Sequence, residues 1–150
     1  AMTLAVQHPE IVGLLLYAPA LRLNQNPVSL AFMKLISSFV PWIPKPKSDD
    51  GLPWQGYTVR PLKGVIQLLL LQQVVAPQLG SIHQPTLIMQ GMLDRTVHPD
   101  VPDTIYQQIK STVKAIHWMP ASSHCVILDH ELDQVAEITL KFIQLALNNQ

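Results

Sequence analysis

The chain has 150 residues, 48% hydrophobic and 13% charged, and its ten basic and ten acidic side chains leave no net charge. That length supports one domain with a real core, and the balanced charge gives no electrostatic pull toward nucleic acid or an anionic membrane surface. The single cysteine excludes an internal disulfide framework and fits a reducing, cytoplasmic compartment; no uninterrupted apolar run nears about 18 residues, so no stable membrane insertion is expected, and no signal-peptide pattern is visible.

Residues Ala1 to His8 read as a helix, with good helix formers and no breaker before Pro9. No capping residue precedes them, so the chain reads as a fragment that starts inside a helix. Ile11 to Tyr17 is a short apolar run without alternation, the pattern of a strand covered on both faces. Ala18-Pro19 closes it. Residues 22–83 then break the alternation of helix and strand. Val28 to Val40 reads as a poorly periodic helix, and Pro41 to Pro53 as a proline-rich loop with little room for regular structure. Leu62, Val65, Ile66 and Leu69 repeat at helical spacing, giving a helix that runs to about Val75. Phe32, Phe39, Trp42 and Trp54 make this insertion too apolar for disorder. It reads as a cap over the end of a sheet.

The stretch from Gln84 to Pro99 organises the rest. Thr86 to Met89 is a second doubly buried strand, Gly91 ends it, and Asp94 follows where the chain turns over the strand end. Open α/β sheets keep their chemistry there, beyond the carboxyl ends of parallel strands. Val101, Ile105 and Ile109 share a helix face, with Pro99 and Pro102 suited to its first turn. Val113 to Met119 is a third strand, and Pro120 to Ser123 is a loop that delivers His124. A last helix runs from about Asp129, a plausible N-cap, to Leu147. Its inner face is read as Leu132, Val135, Ala136, Thr139, Phe142, Ile143 and Ala146. The fold class is therefore α/β, with three parallel strands joined by right-handed crossovers.

Pro85 to Gly91, Asp94, Val97-His98-Pro99, Ile105-Tyr106 and Ser122 to Asp129 together resemble the C-terminal part of an α/β-hydrolase. The likeness is to small bacterial carboxylesterases and monoacylglycerol lipases. Ala1 to Tyr17 fits the helix and strand that follow the nucleophile in that family. The resemblance implies a serine hydrolase acting on a carboxylic ester, a short- to medium-chain acyl ester or a monoacylglycerol. Asp94 would be the triad acid and His124 the base, in the family's chain order. It also implies a small apolar acyl ester as substrate and the N-terminal half of the same fold as partner. No cofactor is expected.

Two features depart from the family. Ser123 stands where a glycine usually precedes the histidine. No G-x-S-x-G occurs, so the nucleophile and the oxyanion-hole donors would precede Ala1. Other readings of these residues are plainer. Asp94 could be a turn aspartate bonding local N–H groups, and His124 a loop histidine satisfied by carbonyls. Cys125 adjoins His124, but neighbours in extended chain point apart, so it reads as a small buried side chain. Asp129, His130 and Asp133 lack a recurring ligand spacing, so no metal is expected. His8, His83, His98 and His117 are scattered and read as structural or exposed. Trp42, Trp54 and Met33 could line an acyl pocket or serve as plain core. The alternative function is a non-catalytic module on a hydrolase scaffold, binding a ligand or a partner.

Overall fold

The structure, a computed structural model, describes residues 1–45 and 57–148. The core is a three-stranded parallel sheet of β1 (Leu14–Tyr17), β4 (Thr86–Gly91) and β5 (Lys114–Met119), in the order β1-β4-β5. The central strand β4 is buried along its whole length, as its unbroken apolar run requires. The outer strands are less covered. β1 alternates between buried and half-buried residues, and His117 and Trp118 of β5 are exposed.

Helices lie on both faces. One face carries α1 (Met2–Gln7), α4 (Val101–Gln108) and a 3-10 turn (Ala76–Ser81), packed with Leu14, Leu16, Ile88 and Ile105. The other carries α5 (Leu132–Asn148), whose Val135, Phe142 and Ala146 meet Leu87, Met89 and Met119. Tyr17 is anchored to α5 by a 2.7 Å hydrogen bond between its hydroxyl and that of Thr139. Ala18, just past β1, holds a positive φ of 44°, a conformation that costs an L-residue on the order of 1 kcal/mol or more.

Between β1 and β4 lie α2 (Pro27–Ile36), an antiparallel ribbon of β2 (Trp42–Pro44) and β3 (Val59–Pro61), and α3 (Leu62–Val75). Asn26 caps α2 by accepting the Val28 N–H at 2.8 Å, and Pro27 occupies the first turn, where its missing N–H costs nothing. No residue of α2 is buried. α3 and the 3-10 turn run on together as Leu62–Ser81, which by length and composition alone could cross a membrane. Here its Leu62, Val75 and Leu79 are buried in the protein core.

Several boundaries differ from the sequence reading. The first strand is Leu14–Tyr17, shorter than Ile11 to Tyr17, because Ile11 is still held in the turn after α1 by Ile11 N–H to His8 O at 3.1 Å. The helix expected to reach Val40 stops at Ile36, where the Phe39 and Val40 N–H groups both turn back to the Ile36 carbonyl. Trp42–Pro44, placed in a loop, forms a strand opposite Val59–Pro61. A two-stranded ribbon has only edges, so its prolines forfeit few ladder bonds. Residues 46–56, which hold the remainder of that proline-rich stretch and Trp54, lie outside the described residues. α5 begins at Leu132, and Leu132, Ala136 and Ile143 are exposed rather than inward.

Candidate active site

Gly91 ends β4 and Met119 ends β5, so the loops that follow leave neighbouring parallel strands at their carboxyl ends. Two hydrogen bonds stitch these loops together: Met92 N–H to Met119 O at 2.9 Å and Leu93 N–H to Ser122 O at 3.0 Å. A Cβ at Gly91 would overlap the carbonyls of Ser122 and Ser123. The strand therefore needs glycine there for close approach, not for an unusual φ.

The Asp94 side chain is 1% exposed and the His124 ring 39% exposed. His124 Nδ1 lies 2.9 Å from Asp94 Oδ2. An ionised carboxylate only accepts hydrogen bonds, so Nδ1 carries the proton and Nε2 is left for proton transfer. The same Oδ2 accepts from Gln90 Nε2 at 2.7 Å. Asp94 Oδ1 accepts the backbone N–H groups of Thr96 at 2.7 Å and Val97 at 3.1 Å. Burial pushes the Asp94 carboxyl upward. The hydrogen bonds from His124, Thr96, Val97 and Gln90 outweigh that and hold it below the ordinary aspartate value of 3.8.

The acid loop is braced from outside by the segment after β1. Leu23 and Val97 form an antiparallel bridge, His98 N–H donates to Arg22 O at 2.9 Å, and Asn24 N–H donates to Thr96 O at 2.8 Å. The Arg22 guanidinium pairs with Asp100 and reaches His98 Nδ1 at 2.8 Å. His98, read as scattered, thus belongs to this brace.

Of the sequence candidates, Asp94 and His124 come together and Asp129 does not join them. The sequence suggests Asp129 as the N-cap of the last helix, which begins at Leu132. Instead the Asp129 Oδ2 accepts the Ser123 N–H at 2.7 Å and the Ser123 hydroxyl at 2.6 Å. Among the described residues no three His, Cys, Asp or Glu side chains gather as a metal site would require. Gln90 escaped the sequence reading, although a lone amide in an otherwise apolar buried strand was a usable signal. Its Oε1 is buried without a partner among the described residues. A cleft of about 390 Å³ lies between α2 and α3, lined by Leu30, Ile66 and Leu69 with Arg22 and Lys34. Trp42 and Met33 are not among its walls.

The chain is 26% identical over 139 residues to a thermostable monoacylglycerol lipase of Bacillus sp. (strain H-257), covering 93% of this chain and 56% of that protein. It is 26% identical over 80 residues to a carboxylesterase of Bacillus subtilis (strain 168), covering 51% of this chain and 32% of that one. Among solved structures it superimposes with a TM-score of 0.84 and 30% identity on one reported for metagenome-derived lipolytic enzymes, covering 94% of this chain and 58% of the other. A monoacylglycerol lipase of Paleococcus ferrophilus shares the fold, with a TM-score of 0.75 at 15% identity, covering 99% of this chain and 64% of the other. The chain thus spans somewhat over half the length of the Bacillus sp. (strain H-257) lipase and of these two solved structures. The family described as Serine aminopeptidase, S33 matches residues 1–131. With that match over most of its length, this chain belongs to that family of α/β-hydrolases, on its esterase- and monoacylglycerol lipase-like side.

Proposed function

We propose that residues 1–150 supply the acid and base of a serine hydrolase that cleaves a small apolar carboxylic ester, of short to medium acyl chain or a monoacylglycerol. The observation that carries this is the 2.9 Å contact between a buried carboxylate and a half-exposed imidazole, at the carboxyl ends of adjacent parallel strands. In this reading His124 Nε2 takes the proton of a serine hydroxyl as that oxygen attacks the ester carbonyl. It then returns the proton to the leaving alkoxide. Asp94 holds the tautomer and stabilises the imidazolium. The serine and the oxyanion-hole donors come from outside this chain's sequence, which contains no G-x-S-x-G. The inserted elements between β1 and β4, about residues 22–83, form a cap, and the apolar cleft between α2 and α3 suits an acyl chain. A cytoplasmic location, without nucleic acid or stable membrane insertion, belongs to the same proposal.

The test is ester hydrolysis by the longer protein that carries these residues. Asp94→Asn keeps the shape of the side chain but offers the wrong partner to Nδ1. It is expected to fold normally and to lower kcat by about 10⁴, the loss seen for a triad acid that sets the tautomer. Full activity in Asp94→Asn would move the acid elsewhere and sink this assignment.

A further inference from the structure

We propose that Asp129 is a positioning residue for His124, acting through the backbone N–H and hydroxyl of Ser123. The inference rests on the reading of Asp94 and His124 as acid and base.

The loop from Pro120 to His124 has no regular structure of its own, yet Ala121, Ser122 and Ser123 all engage polar partners. Ser122 N–H turns back to Met119 O at 3.3 Å, and Ser122 O accepts from Leu93 of the acid loop. Glu131 Oε2 accepts the Ala121 N–H at 2.9 Å and the Ser122 hydroxyl at 2.6 Å. Asp129 Oδ2 takes both donors of Ser123, and its Oδ1 takes the His130 N–H at 2.8 Å. The Asp129 side chain is 2% exposed. A buried carboxylate that accepts three hydrogen bonds has one stable orientation. Ser123 is the residue before His124, so the bond to its N–H holds the Ser122–Ser123 peptide plane and the bond to its hydroxyl holds the Ser123 side chain, which together restrict the chain leading into His124. Glycine at this position would offer the amide alone; serine adds a second charge-assisted bond to the same oxygen. Gly91 lies directly beneath, with no room for a Cβ against Ser122 O and Ser123 O. The loop that leads into His124 is therefore packed against Gly91, tied to the Asp94 loop through Leu93, and tied to the segment before α5 by Asp129 and Glu131.

The experiment is NMR of the His124 ring in the longer protein that carries these residues, a readout separate from turnover. The exchange of its Nδ1 proton with water reports how firmly the ring is held against Asp94. Loss of a charge-assisted hydrogen bond predicts exchange about tenfold faster in Asp129→Asn and several-fold faster in Ser123→Ala. Ser123→Thr, which keeps a hydroxyl, restores the slow rate. Backbone amide dispersion checks folding, and if Asp129→Asn unfolds, the Ser123 pair decides alone. Wild-type exchange in Ser123→Ala and in a folded Asp129→Asn would overturn the proposal. Failure of the acid–base reading looks different: Asp94→Asn would then keep full ester hydrolysis whatever the exchange rates.

Discussion

At Gly91 the two loops of the site meet with no space to spare. A methyl group there would collide with backbone, which cannot rotate aside as a flexible side chain could. Gly91→Ala should push the Ser122–Ser123 segment away and break the Leu93 N–H to Ser122 O bond. The cost in stability is expected to be about 1–3 kcal/mol, typical of overpacking, read from urea unfolding, together with loss of the Asp94–His124 contact. Unchanged stability would mean that the loop yields freely. The carboxylates at the site make a second, pH-dependent statement. Asp94 and Asp129 are both pushed up by burial, yet hydrogen bonds bring each below 3.8. For Asp129 the bonds come from the Ser123 hydroxyl, the Ser123 amide and the His130 backbone. A carboxyl whose folded value is lower than its unfolded one stabilises the fold fully above the unfolded value. That contribution is lost as pH falls from 3.8 through the folded value. Unfolding midpoints should therefore drop on acidification below 3.8, and Asp129→Asn should drop less steeply. Equal slopes for the two proteins would show that Asp129 is not a source of the acid loss.

Among elements, β1 is an edge strand of the parallel sheet. It pairs with β4 on one side, and among the described residues no strand pairs with its other side. An unpaired edge offers a row of N–H and C=O groups to another chain, and natural edges carry charge, proline or a bulge against this. β1 is Leu-Leu-Leu-Tyr and has none of them. Beside it, Val12, Leu15, Ile143 and Leu147 line an apolar crevice of about 160 Å³ between the strand and α5. The 150-residue chain is expected to associate through this edge. Sedimentation velocity over a concentration series should show growing species, and Val12→Lys, which places a charge in the crevice, should reduce them. A wild-type chain that stays monomeric at high micromolar concentration would exclude the edge as an association surface.

For the molecule as a whole, its extent relative to the family sets the expectation for activity. It covers 56% of the length of the Bacillus sp. (strain H-257) lipase and 58% of the metagenome-derived lipolytic enzyme. Asp94 and His124 stand together, but the sequence contains no nucleophile elbow. Residues 1–150 alone should not hydrolyse p-nitrophenyl esters above background. Turnover that disappears in His124→Ala would reveal a nucleophile inside the chain.

Local signals carried much of this fold. Thr86 to Met89 reads as a doubly buried strand because nothing polar interrupts it, and β4 is buried throughout. Val101, Ile105 and Ile109 read as one helix face from their four-residue spacing; all three are buried, with Ile109 in extended backbone one residue past α4. The approach of Asp94 and His124 was legible only through the order of strands and turns. The resemblance to the family pairs Asp94 with His124, but residue spacing by itself does not say which carboxylate each loop uses. Asp129 lies five residues from His124 and Asp94 thirty, so proximity along the chain favours the wrong one. The 3-10 turn Val126–Leu128 separates Asp129 from the ring in sequence, and the Asp129 carboxylate lies against Ser123. The pairing of β4 with β5 sets the distant Asp94 loop beside the ring. Strand adjacency is a property of the assembled sheet, made of bonds between segments far apart in sequence. No window of neighbouring residues contains it.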